Sequence, residues 1–344
     1  MKRYAKYIKP YLVAFIMGPI MMITEVVGEV FLPRLMATII NTGVANRDIS
    51  AVWGTGLLML LACLVMVVGG TLGCYFSAKA SIGFSADLRR DLFSKVQEFS
   101  FTNIDDFSTG SLVTRLTNDV QQIQNMIAMM LRMALRAPGM LIGGIIMAMS
   151  LNPELGLIIV VIIPVMTVII FFVTKLSFPL FESMQSALDN LNNRIRESLT
   201  NVRVIKSFVR EDYENKRFNE KNDDLREKTL AALNILITIG PIMMFFMHMA
   251  TVSVVWFGGN LVIKTNMPVG DLTAFITYVT QILSSLMMVA MVILQSTRSV
   301  ASFKRTSAVL DTVVDITDEN AARPNKKVES GDIIFENVSF DYPG

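Results

Sequence analysis

Histidine is nearly absent from these 344 residues and cysteine is scarce, with one His and two Cys. His248 has no cysteine or second histidine near it, which excludes a His/Cys metal site and leaves a hydrogen-bonded buried polar group as its expected role. Cys63 and Cys74 lie eleven positions apart on one expected helix, about 16 Å at 1.5 Å per residue. No disulfide closes over that span, so both read as free thiols. Charge of one sign is lacking too. The net charge is +2, from 31 Lys and Arg against 29 Asp and Glu, so the balance carries no footprint of nucleic-acid binding. The N-terminal MKRYAKYIKPYL is basic, but the apolar run behind it reaches about Ile40 with no small-residue cleavage site. That is not the pattern of a signal peptide.

What is abundant is apolar surface: 52% of residues are hydrophobic and the mean hydropathy is +0.50. A hydrocarbon core about 30 Å thick needs about 20 apolar residues of helix. Six runs meet that length, at about 11–40, 53–78, 126–150, 155–174, 235–262 and 271–297. Ahead of them, 2–11 reads as a short basic amphipathic segment on the membrane surface. Trp53 suits the outer interface.

Two segments keep helical spacing far outside any bilayer. After the second run, Leu88, Leu92, Val96 and Phe99 continue the pattern to about Phe101, predicting a helix of nearly 50 residues, or about 70 Å. SFTNIDDFSTG follows, its Asn103, Asp105, Asp106, Ser108 and Gly110 being turn and cap residues. A returning helix begins at Ser111 with the stripe Leu112, Leu116, Val120, Ile123 and Ile127. Between the fourth and fifth runs, 175–234 holds eleven Lys/Arg and ten Asp/Glu. Even so, Ile195, Leu199, Val202, Ile205, Val209 and Tyr213 recur at helical intervals there. Both segments read as stalks that reach a partner. Positive charge sets their side. The short loops after runs one, three and five carry only Arg47 and Lys264, whereas 79–126 carries five Lys/Arg and 175–234 eleven. The positive-inside rule therefore places both long loops and both termini in the cytosol.

Composition divides the chain into a membrane domain at 1–314, a linker at 315–330 rich in charge, Asn and Pro, and 331–344. In that last piece Ile333, Phe335, Val338 and Phe340 are spaced as strands opening a soluble domain. The expected fold class is thus an all-α membrane protein of six long spans extended into the cytosol, with a short β segment at its C-terminus.

Three segments in order resemble the half-transporter of the ATP-binding cassette (ABC) exporters: TGSLVTRLTNDV at 109–120, RESLTNVRVIKSFVREDYENKRF at 196–218 and IIFENVSFDYP at 333–343. The wording is closest to subunits of bacterial heterodimeric multidrug exporters. This resemblance implies the type 1 exporter fold and a coupling helix at the tip of each loop, docked on nucleotide-binding domains. Those helices fall at about 102–107 and 211–217, so Asn103, Ile104, Asp105, Asp106, Phe107, Glu211, Asp212, Tyr213 and Glu214 are the candidate coupling residues. By position Tyr342 would stack on adenine. The resemblance further implies ATP with Mg²⁺ in the intact protein, a second half-transporter forming a heterodimer rather than a homodimer, a small amphipathic substrate and a bacterial-type inner membrane. No GxxxxGK[ST] phosphate loop occurs in the 344 residues, so this stretch alone is expected neither to bind nor to hydrolyse ATP.

Charges within the apolar runs are the remaining candidates. Glu25 and Glu29 lie one turn apart in the first run, Arg132 and Arg136 one turn apart in the third. Counted from the outer ends, Glu25 lies about 24 Å deep and Arg136 about 21 Å, which permits a pair. Two readings stand: a structural clamp between helices, and a polar patch facing a translocation cavity. Gly69-Gly70 and Gly143-Gly144 permit close helix contact. The methionines at 243–249 and 287–291 suit either packing or an adaptable ligand surface. Pro19, Pro33, Pro138, Pro164 and Pro241 can bend their spans, with no individual role assigned. A rival secondary transporter would need internal repeats and spans broken at midplane, which the sequence does not show. A membrane scaffold recruiting a soluble partner is the other alternative.

Overall fold

The computed structural model describes residues 4–265, 267–314, 331 and 333–339. Within these, every regular element is helical. The α-helices are α1 (Ala5–Ile8), α2 (Leu12–Thr38), α3 (Ile49–Gln97), α4 (Phe101–Asp106), α5 (Thr109–Thr114), α6 (Val120–Met133), α7 (Arg136–Leu151), α8 (Pro153–Thr200), α9 (Val202–Ser207), α10 (Glu211–Thr265) and α11 (Val269–Asp311). Short π-helical turns at Ile39–Val44 and Arg115–Asp119 continue α2 and join α5 to α6. Six of the resulting continuous helices are long and apolar enough to cross a bilayer. The fold class is all-α, with six long apolar helices. At 1.5 Å per residue the 49 residues of α3 and 55 of α10 make rods of about 74 and 82 Å, more than twice a hydrocarbon thickness.

Local chemistry fixes where the helices begin. Asp48 Oδ1 accepts from the Ala51 amide at the start of α3. Asn152 Oδ1 accepts from the amides of Glu154 and Leu155, and Pro153 occupies the first position of α8, where its missing N–H is harmless. The acidic first turn of α10, Glu211, Asp212 and Glu214, faces the positive end of the helix dipole. Between α9 and α10 the chain reverses through Val209 at φ 50°, a left-handed conformation costly for a β-branched residue.

The chain folds into two compact units. The first comprises 4–28, 62–139 and 288–314; the second comprises Glu29–Leu61 and Met140–Met287. The first unit buries Tyr7, Phe84, Leu88, Leu92, Val120, Ile123 and Val309 in one apolar cluster. Tyr4 stands edge-on to Phe303 at 5.0 Å and its hydroxyl meets Ser307 Oγ at 2.9 Å. The amphipathic N-terminal segment therefore lays its apolar face on protein, with Tyr7 only 3% exposed, rather than on a lipid surface. In the second unit α8 and α10 pack along each other, and Phe275, Tyr278, Val279 and Ile282 of α11 are fully buried.

Residues 331 and 333–339 hold no strand. Ile333, Ile334 and Phe335 are about 80% exposed, and a strand pair needs ladder partners and apolar cover that these side chains lack here. The expected linker at 315–330, and Phe340 and Tyr342 beyond it, lie outside the described residues.

Candidate functional site

Among the charges in the apolar runs, Glu25 and Arg136 meet. Glu25 Oε1 lies 3.0 Å from Arg136 Nη1, with side chains 17% and 29% exposed. The pair depends on two glycines in α3. A Cβ on Gly69 would lie 3.0 Å from the Met21 carbonyl, and one on Gly70 would lie 3.0 Å from Glu25 Oε2. The Glu25 carboxylate thus rests on bare backbone, and its Oε2 is buried without a hydrogen-bond partner. Arg136 begins α7 after a break at Ala134 and Leu135, two residues ahead of Pro138. Arg132 is exposed and donates its Nε to the Ala128 carbonyl. Glu29 belongs to the other unit.

The two polar turning points each carry a short helix. Ser100 and Asn103 form a reciprocal capping box that starts α4, each side-chain oxygen accepting the other's amide. Asn103 is buried and its Nδ2 also donates to the Val313 carbonyl at 3.3 Å. Phe107 stacks on Phe99 at 5.8 Å, beneath the Arg115 guanidinium 4.6 Å from its ring centre. Phe101 stays 88% exposed, and Ile104 and Asp106 are exposed as well. The Asp105 side chain lies outside the described set.

The second turning point lies between the long helices α8 and α10. The separate short helix is α9, Val202–Ser207, not 211–217. Glu211, Asp212, Tyr213 and Glu214 instead form the first turn of α10, because three carboxylates make a strong helix start and the bend at 208–210 precedes them. Lys206 Nζ meets Glu211 Oε1 at 2.9 Å and holds that carboxyl below its ordinary range. Arg217 lies over the Tyr213 ring. Val204, Phe208 and Val209 are exposed.

Two buried ionic networks escaped the sequence reading. Asp119, 2% exposed, receives Arg305 Nε at 2.8 Å and Ser302 Oγ at 2.9 Å. Burial pushes its carboxyl up, but Arg305, Ser302 and Arg115 outweigh that and leave it below the ordinary range. Arg194, 6% exposed, pairs with Glu197 at 2.8 Å and with Glu214, tying α8 to the start of α10 across α9. The only sequence signal was polarity at a position on the apolar side of an amphipathic helix. His248, expected to be buried, is exposed, because α10 turns Met243, Ala250 and Val254 inward on another face. Among the described residues, no three of His, Cys, Asp and Glu are grouped to hold a metal.

Residues 15–286 match the model of the ABC transporter transmembrane region. The chain belongs to that family. It is 36% identical over its full length to the uncharacterized ABC transporter ATP-binding protein YfiB of Bacillus subtilis, covering 59% of that protein. It is 31% identical over 98% of its length to an uncharacterized ABC transporter ATP-binding protein of Mycobacterium tuberculosis, covering 58% of it. This ABC transporter membrane domain thus spans about three fifths of the curated relatives it matches, and it is a multi-pass membrane protein.

Proposed function

We propose that the chain is the membrane-spanning half of an ATP-driven exporter, moving small amphipathic substrates out of the cytosol by alternating access. The observation that carries this reading is the pair of short helices α4 and α9. Each sits at the turn between helices far longer than a bilayer, and each displays apolar side chains, Phe101 and Ile104 on or beside the first, Val204 and Phe208 on or beside the second. Exposed apolar groups on a capped, rigid tip are suited to docking on a soluble partner. In this reading the tips lie in the cytosol with both termini, and the membrane is a bacterial inner membrane. Residues 315–330 link to a nucleotide-binding domain that opens at 331–344, where Tyr342 stacks on adenine. ATP and Mg²⁺ act there in the intact protein, and a second half-transporter, a different chain, completes the dimer.

The test is reconstitution of the full-length protein with its partner half in proteoliposomes. ATP-dependent accumulation of an amphipathic dye inside inverted vesicles is expected, with substrate-stimulated ATPase. Phe101→Ala with Ile104→Ala should keep basal ATPase and lose transport. Transport unaffected by nucleotide would overturn the reading in favour of a secondary transporter.

A further inference from the structure

Pro33 lies within the continuous helix α2. A proline has no N–H to give, so the carbonyl four residues earlier, that of Glu29, loses its helical donor, and the ring crowds that carbonyl and loosens the turn. Gln281 Nε2 of α11 donates to the Glu29 carbonyl at 3.2 Å. One turn before it, the Tyr278 hydroxyl donates to the next carbonyl, that of Val30, at 2.8 Å. The carbonyl that proline leaves without its helical donor is thus met by a side chain of another helix 252 positions away, and a second side chain of that helix, 248 positions away, adds a bond to the next carbonyl.

Packing at this level is tight and depends on glycine. A Cβ on Gly143 would lie 3.1 Å from Val30 Cγ2, and one on Gly144 would lie 2.8 Å from Ile282 Cγ1. Both glycines belong to α7, so that helix lets α2 and α11 close on the proline turn. Tyr278 is 0% and Ile282 1% exposed. The closed arrangement is nevertheless incomplete. Gln281 Oε1 is buried with no hydrogen-bond partner, so the amide is held by its donor end alone. A polar group left unmet in a buried setting keeps this state from being a deep minimum.

We infer that Pro33 is a hinge in α2 and that Gln281 and Tyr278 are the latch that holds it closed. Sliding or rotation of α11 breaks both bonds together, since both donors sit on one helix, and α2 then bends where its own ladder is missing. Gln281 and Tyr278 are positioning residues: they set the shape of α2. That this release occurs during a nucleotide cycle rests on the exporter reading; the existence of the latch does not.

The experiment uses the full-length protein with Cys63 and Cys74 replaced by serine and spin labels at the exposed positions Ile20 and Val44, on either side of Pro33. A straight helix puts those backbones about 36 Å apart. Wild type should give one narrow distance. Gln281→Leu should add a second population at shorter distance as the turn bends, about 3 Å shorter for a bend of about 50°. Tyr278→Phe, which keeps the ring, should add a smaller fraction of it and serves should Gln281→Leu fail to fold. Pro33→Ala restores the missing amide and should abolish the short population in either background. A single unchanged distance in both latch variants overturns the inference, as does a short population that survives Pro33→Ala. ATP with vanadate should bring out the same short population in wild type. Bound nucleotide without that change removes the latch from the cycle and overturns its proposed use. Absence of nucleotide binding, measured separately, refutes the exporter reading while the substitutions still decide the latch.

Discussion

Asp119 and Arg305, 186 positions apart, form the buried ionic contact that ties the π-helical turn ahead of α6 to the polar end of α11. The carboxylate is almost wholly buried while the guanidinium is about half exposed. Arg305→Ala leaves a buried carboxylate without its main partner. The expected cost is about 2–3 kcal/mol, below that of breaking a fully enclosed pair because solvent screens the arginine. The midpoint of thermal unfolding in detergent checks it. The pH dependence has a definite sign. Asp119 is held below the ordinary carboxylate range, so its stabilisation is fully present above about pH 4 and fades as pH falls through its lowered folded-state value. Asp119→Asn should flatten the acid limb of the melting-point profile.

At the second turning point, Glu214 closes a clamp on Arg194, which is 6% exposed and has a buried Nε without a partner. Glu214→Gln should loosen 201–210. Trypsin cleavage after Arg203, Lys206 or Arg210 is expected to accelerate about tenfold, the effect of about 1.4 kcal/mol of local opening. Arg194→Met removes the charge with its need for partners and should cost less than Glu214→Gln. Equal cleavage rates in wild type and Glu214→Gln would refute the clamp.

Glu25 and Arg136 should couple in a double-mutant cycle. Each single change, Glu25→Gln or Arg136→Met, removes this contact at a cost of about 1–3 kcal/mol, whereas the double change should cost less than the sum by at least about 1 kcal/mol. Additive effects in chemical unfolding would show that the ion pair contributes no net coupling. Gly70→Ala should weaken the same pair by crowding the Glu25 carboxylate.

Ser100→Ala removes one half of the α4 capping box, with an expected loss of about 1 kcal/mol. Asn103→Ala should cost more, about 1–3 kcal/mol, because it also leaves the Val313 carbonyl without this donor. Melting curves order the two, and the reverse order would mean that the contact to Val313 carries no weight.

The stripe Leu112, Val120, Ile123 and Ile127 was legible from spacing, and all four are buried as that spacing requires. The capping residues around α4 were legible too, because a cap is made by neighbours in sequence. The α9 helix was not: helical period continues through 201–210, and only the backbone reversal at Val209 separates α9 from α10. Nor could spacing show that Tyr7 would turn toward protein, since an amphipathic segment presents the same pattern to lipid and to a helix.

By itself the sequence determined that this chain is built mainly of helices, six of them among the described residues long and apolar enough to cross a membrane, because hydropathy, helical period and caps act within a few residues of one another. Which charges meet was decided only by tertiary structure. Glu25 with Arg136, Asp119 with Arg305 and the Glu29 carbonyl with Gln281 are joined across more than a hundred positions. Each pairing exists because a buried charge or an unmet carbonyl demands a partner, and only the packing of the helices determines which side chain is near enough to serve.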